Sequence, residues 1–180
     1  ESANLKEAKR AKQNEFYTQW PVIEKEMNAY LEFDPDVFRG KTVLLPCDDP
    51  EWSSFTKFFA LHFEDYGLKK LISTSYASEC NDGGKFYEST LFETQSPIYE
   101  ADSSRVKGRV FTLTPEDISG DGRIDLDDLQ WDYLEGDGDF RSVEVTALRD
   151  EADVVITNPP FSLFREFVAW LIEGKVQFSV

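Results

Sequence analysis

The sequence is poor in the side chains from which disulfide frameworks and histidine-based active sites are built. Among 180 residues there are two cysteines, Cys47 and Cys80, and one histidine, His62. Two cysteines give no disulfide framework, which fits a reducing, cytoplasmic setting. One histidine argues against a Ser-His-Asp triad and against a metal site made of several histidines. His62 itself is expected to be a packed histidine, because it lies on the apolar face of a predicted helix.

The chain also lacks a long hydrophobic run and an excess of positive charge. No apolar run approaches the roughly 20 residues needed to span a bilayer, and no signal peptide is visible, so no membrane association is expected. Lys and Arg number 19 against 35 Asp and Glu, which gives a formal net charge of −16. A negative net charge is unfavourable for binding nucleic-acid phosphates, which requires Lys and Arg side chains. Residues 1–180 alone are therefore expected to bind DNA weakly or without sequence specificity.

The two ends of the sequence suggest part of a longer protein. The first residue is Glu1 rather than Met, and the last, Val180, lies inside a predicted strand. Further strands, and any region that recognises a nucleic-acid sequence, are expected outside these residues.

What is present is enough apolar sequence for one domain with a sizeable core, since 41% of residues are hydrophobic and 14% aromatic. The first half predicts a strand-helix-strand order, which is typical of a parallel sheet. Its predicted elements are a helical segment over 5–31 with a break near Trp20-Pro21, a strand over 42–45, an aromatic-faced helix ending at Gly67 and a strand over 71–74.

The second half changes character before it returns to the α/β pattern. Short β-prone pieces at 86–92 and 109–113 predict an inserted hairpin or small antiparallel extension. An acidic segment over 116–139 follows, with ten carboxylates and one arginine. The remaining predicted elements are a helix over 143–150, a strand over 153–157, a helix over 162–173 and a strand from 176. The whole predicts an α/β, Rossmann-like sheet with helices on both faces: an N-terminal helical segment over 1–40 and a partial domain over 41–180, with an insertion at about 80–135.

The turn most suggestive of chemistry is Asn158-Pro159-Pro160-Phe161, directly after an apolar strand. In open α/β sheets, ligands bind beyond the carboxyl ends of the strands. The Asn158 amide oxygen and a proline carbonyl can accept two hydrogen bonds from one NH2 group, which favours a more nucleophilic nitrogen and stabilises developing charge. Phe161 offers a flat surface on which an extruded base can stack. The simpler interpretation is a strand-ending turn in which Pro-Pro merely ends the regular structure.

This turn and three further segments resemble one family. The segments are residues 14–19 (NEFYTQ), 47–50 (CDDP), 137–142 (DGDFRS) and 152–167 (ADVVITNPPFSLFREF). Together they are similar to the EcoRI-methylase-like adenine-specific DNA methyltransferases of restriction–modification systems. The resemblance covers most of the chain except the region 80–117. It implies a sheet of the S-adenosylmethionine-dependent methyltransferase type and methyl transfer to N6 of a flipped-out adenine in double-stranded DNA.

The resemblance also assigns roles to individual residues. It implies that Asn158, Pro159, Pro160 and Phe161 form the catalytic turn that holds the target adenine. The implied contacts to S-adenosylmethionine are Tyr17 and Thr18 near its methionine end, Pro46, Cys47, Asp48 and Asp49 at its amino-acid portion, Asp139 at its adenine amine and Phe140 against its ring. Three of these assignments have simpler alternatives: a core aromatic for Tyr17, helix caps for Asp48 and Asp49, and a loop acid for Asp139.

The sequence departs from the common methyltransferase pattern at two places. The turn after the first strand is Pro-Cys-Asp-Asp-Pro rather than glycine-rich, and Leu45 stands where an acid is common. After the second strand, Ser75-Tyr76 replace the usual ribose-binding acid. These departures favour a competing hypothesis, a non-catalytic, calcium-stabilised DNA- or protein-binding module with a degenerate methyltransferase fold. Methylation of cytosine N4, of RNA or of protein glutamine is also compatible with the turn alone.

A second motif lies in the acidic segment and fits a 12-residue calcium loop of the EF-hand type. Gly122 stands at the sixth position, where the sharp turn needs a glycine. The predicted ligands are Asp117, Ser119, Asp121, Asp125 and Asp128 through their side chains and Arg123 through its carbonyl. A structural calcium ion would stabilise this concentration of carboxylates, whereas an acidic surface turn without metal is the alternative.

Overall fold

The computed structural model describes residues 3–46, 54–77, 106–118, 131–157 and 163–179, and within the first helix it describes only the backbone of residues 3–9, 11–13 and 15–18. The helices are α1 (Ala3–Phe33), α2 (Ser54–Leu61), α3 (Val143–Glu151) and α4 (Phe164–Gly174), with a 3₁₀ turn at Pro115–Asp117. The strands are β1 (Thr42–Leu45), β2 (Lys70–Ser75), β3 (Arg109–Leu113), β4 (Trp131–Tyr133), β5 (Val154–Ile156) and β6 (Gln177–Ser179). Within these ranges no helix has the length and apolarity that a bilayer crossing requires.

The described strands form one mixed sheet in the order β4-β3-β2-β1-β5-β6. β1 pairs in parallel with β2 on one side and with β5 on the other, and β5 pairs in parallel with β6. From β1 the chain first adds β2 on one side, and β5 later pairs on the opposite side. The point between β1 and β5 is therefore a topological switch point, where open α/β sheets bind ligands at the carboxyl edge.

An antiparallel pair, β3 with β4, extends the sheet beyond β2. The β-prone piece at 86–92, the other part of the predicted hairpin, lies outside the described residues. β3 runs antiparallel to both β2 and β4, so β4 points the same way as β2. The strand at 109–113 is confirmed, but its partner β4 lies in the segment that the sequence assigned to acidic loop. Trp131 is buried and Tyr133 packs edge-on against its ring at 5.0 Å, with the Arg109 guanidinium 5.2 Å from the Trp131 ring centre. These aromatic contacts explain why a strand forms among so many acids.

The predicted break near Trp20-Pro21 is wrong, because α1 continues through Pro21. Proline inside a helix removes one backbone hydrogen bond and clashes with the preceding turn. Packing on the sheet side offsets that cost. Ile23 and Met27 are buried, and the Trp20 ring lies 4.6 Å from that of Phe58. These contacts come from residues just before and after Pro21, so they hold the helix in line across the proline.

Two apolar layers cover the two faces of the sheet, as the prediction of helices on both faces requires. Alternate residues of β1 serve opposite layers: Val43 and Leu45 contact one, and Leu44 contacts the other. The first layer packs α1 and α2 on the sheet, and the second packs α3 and α4. The methyltransferase-like α/β architecture is thus present in the described residues.

The aromatic helix face is confirmed, although α2 ends at Leu61 and turns carry the chain to Gly67. The single histidine is packed as predicted, since the His62 ring stacks on Tyr66 at 4.8 Å and lies 4.5 Å from Phe58. Burial raises the pKa of Tyr66 to about 12, with a smaller contribution from Glu24 and then Asp65. Gly67 has a φ of +66°, which lets the chain leave this cluster and enter β2.

Candidate functional site

The carboxyl ends of β1 and β5 are joined by a buried hydrogen bond. The Thr157 hydroxyl donates to the Pro46 carbonyl at 2.7 Å. At the opposite end of the same strands, the Thr42 N–H donates to the Asp153 carboxylate at 2.9 Å, and the Asp153 N–H donates to the Thr42 carbonyl at 2.9 Å. The pairing of β1 with β5 is therefore fixed at both ends, and its carboxyl end lies at the switch point.

These strand ends lead directly into two of the predicted functional turns. Pro46 is buried and precedes the predicted cofactor residues Cys47, Asp48 and Asp49, and Thr157 precedes the predicted catalytic turn. Cys47, Asp48 and Asp49, together with Asn158, Pro159, Pro160 and Phe161, lie outside the described residues, so their roles stay predictions. Tyr17 and Thr18 belong to α1 by their backbone, and their side chains are outside the description as well.

The segment 137–140 returns to the same edge of the sheet and docks on the end of β2. The Ala77 N–H donates to the Asp137 carbonyl at 2.7 Å. Gly138 has a φ of +80°, and a Cβ added there would overlap the Ser75 carbonyl oxygen. A Cβ added at Gly108 would lie 2.5 Å from that same oxygen. Only glycine allows this backbone-to-backbone approach, which places Asp139 beside the carboxyl end of β2.

Asp139 is held as an ionised acceptor by its neighbour Arg141. The Arg141 Nη2 donates to Asp139 Oδ2 at 2.7 Å, while the Arg141 Nε and backbone N–H donate to Oδ1 at 3.0 and 2.8 Å. These side-chain hydrogen bonds lower the pKa of Asp139, in spite of partial burial, which acts in the opposite direction. The same pairing raises the pKa of Arg141. An ionised carboxylate has more acceptor sites than these three donors fill, so it can still accept from a ligand N–H.

Phe140 lies in the core in this structure. Its side chain is fully buried, with the Phe167 ring at 5.0 Å and the Trp170 ring at 5.6 Å. These contacts attach the segment 137–140 to α4, the helix that follows the predicted catalytic turn. The contact between Phe140 and a cofactor ring stays a prediction.

Two hydroxyl groups near the end of β2 are available to hydrogen-bond a ligand, and the sequence analysis did not identify them as candidates. Thr74 is fully buried and Ser75 is 5% exposed, and neither hydroxyl has a hydrogen-bond partner within the described part of the chain. A buried hydroxyl without a partner costs free energy, so such groups point to a ligand or an ordered water. The run Ser73-Thr74-Ser75 in an otherwise apolar strand was the available signal.

The predicted calcium loop gains no support from the residues that can be described. Asp117 is the one predicted ligand among them, and its carboxylate accepts hydrogen bonds from the Thr114 N–H at 2.8 Å and hydroxyl at 2.9 Å. It thus caps the 3₁₀ turn Pro115–Asp117. Within the described ranges, no group of three or more acids, cysteines or histidines is placed to hold a metal ion. The other five predicted ligands, Ser119, Asp121, Arg123, Asp125 and Asp128, lie outside those ranges.

Comparisons with known proteins agree with the family resemblance. The family described as adenine-specific methyltransferase EcoRI matches residues 4–180. The chain is 39% identical over 176 residues to the type II methyltransferase M.EcoRI of Escherichia coli, covering 98% of this chain and 47% of that protein. It is 35% identical over 173 residues to the type II methyltransferase M.MpnI of Mycoplasma pneumoniae, covering 96% of this chain and 41% of that protein. The chain thus spans less than half the length of these relatives. No match to a solved structure was found.

Proposed function

Because the chain belongs to the EcoRI family of adenine-specific methyltransferases, we propose that the protein transfers a methyl group from S-adenosylmethionine to N6 of an adenine in double-stranded DNA. The observation that carries the proposal is the buried Thr157–Pro46 hydrogen bond at the switch point. It supports the proposal because it joins the starts of the two turns that the family resemblance assigns to the cofactor and to the target base. Neighbouring turns at the carboxyl edge suit a reaction between two bound molecules.

In the proposed reaction, the catalytic turn holds the target amine and carries its developing charge. The Asn158 amide oxygen and the Pro159 carbonyl accept the two N6 hydrogens, and the base stacks on Phe161. When bound, S-adenosylmethionine would supply an electrophilic methyl group on a sulfonium: the N–C bond would form as the S–C bond breaks, S-adenosylhomocysteine would leave, and one N6 proton would be released to solvent. The work of the chain is to orient the amine toward that methyl group and to exclude competing water. Pro160 stiffens the turn by fixing its φ.

The described residues fit a cofactor that carries an amine and hydroxyl groups. Asp139 offers an ionised oxygen acceptor to the adenine amine. The hydroxyls of Thr74 and Ser75 are buried at the end of β2, and no described residue forms a hydrogen bond with either of them. That place lacks the usual ribose-binding acid. Successive side chains of a strand point to opposite faces, so one of these hydroxyls, and not both together, is suited to take over part of that hydrogen bonding.

Removing the Asp139 carboxylate is expected to weaken cofactor binding about 10- to 100-fold, because one hydrogen bond to a charged group contributes about 1.5–3 kcal/mol. Calorimetry of Asp139→Ala in the whole protein measures this. Glu135→Ala, which removes an exposed acid four residues earlier, is the control and should bind as the wild type does. Equal affinity of Asp139→Ala and wild type would contradict the role.

The pH dependence of the same affinity follows from the lowered pKa of Asp139. As the pH is lowered from neutrality, the Asp139 carboxylate stays ionised to below pH 3.8, because its pKa lies below the ordinary aspartate pKa of 3.8. The difference in cofactor affinity between wild type and Asp139→Ala should therefore remain constant from about pH 8 to about pH 5. A difference that vanishes near pH 6 would show that another group carries the effect.

The chemistry is tested by incubating the whole protein with S-adenosylmethionine and unmethylated genomic DNA, followed by mass spectrometry of the nucleosides. N6-methyladenine is the expected product. N4-methylcytosine would replace the adenine proposal, as would methyl transfer found only in parallel incubations that contain RNA or protein in place of DNA. Absence of all methyl transfer together with metal-dependent binding to DNA or protein would favour the calcium-stabilised binding module. A cognate restriction endonuclease is the expected partner of the activity, and its presence beside the gene would support that part of the proposal.

A further inference from the structure

Thr157 is a polar residue in a place where packing alone would favour an apolar one. It follows the buried strand β5, and only 7% of its surface is exposed. Its backbone N–H donates to the Ser179 carbonyl at 3.2 Å, and its hydroxyl donates to the Pro46 carbonyl at 2.7 Å. One residue is thus bonded to β6 by its backbone and to the end of β1 by its side chain.

The hydroxyl bond fixes a peptide group rather than another side chain. The carbonyl of Pro46 belongs to the peptide that leads into Cys47, so the direction of that peptide is set by Thr157. The backbone of Thr157 leads in turn into Asn158. The bond therefore ties the first peptide of the predicted cofactor turn to the first peptide of the predicted catalytic turn. The strand pairing of β1 with β5 ends earlier, at Leu44 and Val155.

Beyond the end of the strand pairing, this side-chain hydrogen bond sets how the two turns lie relative to each other. That relation matters for a reaction between two bound molecules. Methyl transfer needs the acceptor nitrogen and the methyl carbon in line at close distance, and a misplacement of about 1 Å can cost about 100-fold in rate. Binding of either molecule alone has no such requirement. A residue that sets only the relation between the two turns should therefore affect the transfer step more than either affinity.

We propose that Thr157 is a positioning residue for methyl transfer, which holds the cofactor turn and the catalytic turn in register through its hydrogen bond to Pro46. The inference rests on the proposed function. Thr157 touches neither reacting group in this account, and its hydroxyl acts through the two turns that it joins.

The test compares Thr157→Val with Thr157→Ser in the whole protein. Valine keeps the size and the branched shape but removes the donor, whereas serine keeps the donor and removes the methyl group. Single-turnover transfer of tritiated methyl from S-adenosylmethionine to unmethylated genomic DNA is measured with enzyme in excess. The expected result is a rate about 10- to 100-fold lower for valine, a rate near the wild type for serine, and little change in the dissociation constant of S-adenosylmethionine for either variant.

Several outcomes overturn the inference. A valine variant as fast as the wild type removes it, as does a serine variant as slow as the valine variant, which would assign the effect to packing of the methyl group. A loss that appears entirely in the dissociation constant of S-adenosylmethionine would make Thr157 a binding residue. If valine prevents folding, Thr157→Cys takes its place: a thiol is a weaker donor, so cysteine should be slower than serine, and equal rates contradict the inference. A wild-type protein without any methyl transfer would instead overturn the proposed function itself.

Discussion

Replacing Asn158 with alanine is expected to abolish methylation, with a fall in the transfer rate of at least about 10²- to 10³-fold. The expected size follows from the loss of one preorganised hydrogen-bonding group at a site of developing charge, which costs about that factor in enzymes. The amide oxygen is the acceptor that favours a nucleophilic N6, so the loss should fall on the transfer step. Single-turnover kinetics at saturating cofactor and DNA measure this.

Two observations separate a catalytic role of Asn158 from a structural one. The thermal midpoint of Asn158→Ala should stay close to that of the wild type, because the proposed role of Asn158 is in the turn after β5 (Val154–Ile156) and not in the strand itself. Asn158→Asp keeps an oxygen acceptor of nearly the same size, so it should retain more activity than alanine. Unchanged turnover of Asn158→Ala would remove the proposed role, and equal loss in both variants would argue against the acceptor function.

The second large effect is expected at Gly138, where alanine should destabilise the protein by about 2–6 kcal/mol. A φ of +80° is strained for alanine, at about 1–3 kcal/mol, and overlap of the added Cβ with the Ser75 carbonyl adds about 1–3 kcal/mol. For a chain of this size, each kcal/mol lowers the thermal midpoint by about 2–4 °C. Far-ultraviolet circular dichroism on heating measures the midpoint.

Gly136 offers a matched control two residues earlier in the same loop. Among the described residues, a Cβ added there would meet only the Glu144 carboxylate, at an ordinary contact distance of 3.6 Å. Gly136→Ala should therefore be nearly as stable as the wild type, while Gly138→Ala also weakens S-adenosylmethionine binding because Asp139 follows directly. A Gly138→Ala protein as stable as Gly136→Ala would contradict the close backbone approach on which the placement of Asp139 depends.

The parallel part of the sheet could be predicted from the sequence because its strands are short apolar runs bounded by turn residues. The strand at β1 (Thr42–Leu45) has the predicted bounds, and β5 (Val154–Ile156) lies within its prediction. β4 could not be predicted in this way, because its Trp131 and Tyr133 are surrounded by acids and gain their stability from β3. The continuity of α1 through Pro21 was missed for a similar reason, since its support comes from α2, far along the chain.

The candidate site could be predicted by residue type and by family resemblance, but its geometry could not. The sequence identifies Asp139 as a candidate, whereas its fixed charge depends on Arg141, two residues away, folding back onto it. Likewise, nothing in the sequence indicates that Thr157 reaches Pro46, because the two are 111 positions apart and meet only through parallel pairing of β1 with β5. Contacts of that range arise from topology rather than from local pattern.

The most direct measurement is the sequencing of modified bases in DNA from cells that express the complete gene, as wild type and as Asn158→Ala. N6-methyladenine at one recurring sequence in the wild type, absent from the Asn158→Ala cells, is the result that the account predicts. Unmodified adenine in both, or identical methylation in both, would contradict the assignment of adenine methylation to the turn that begins at Asn158.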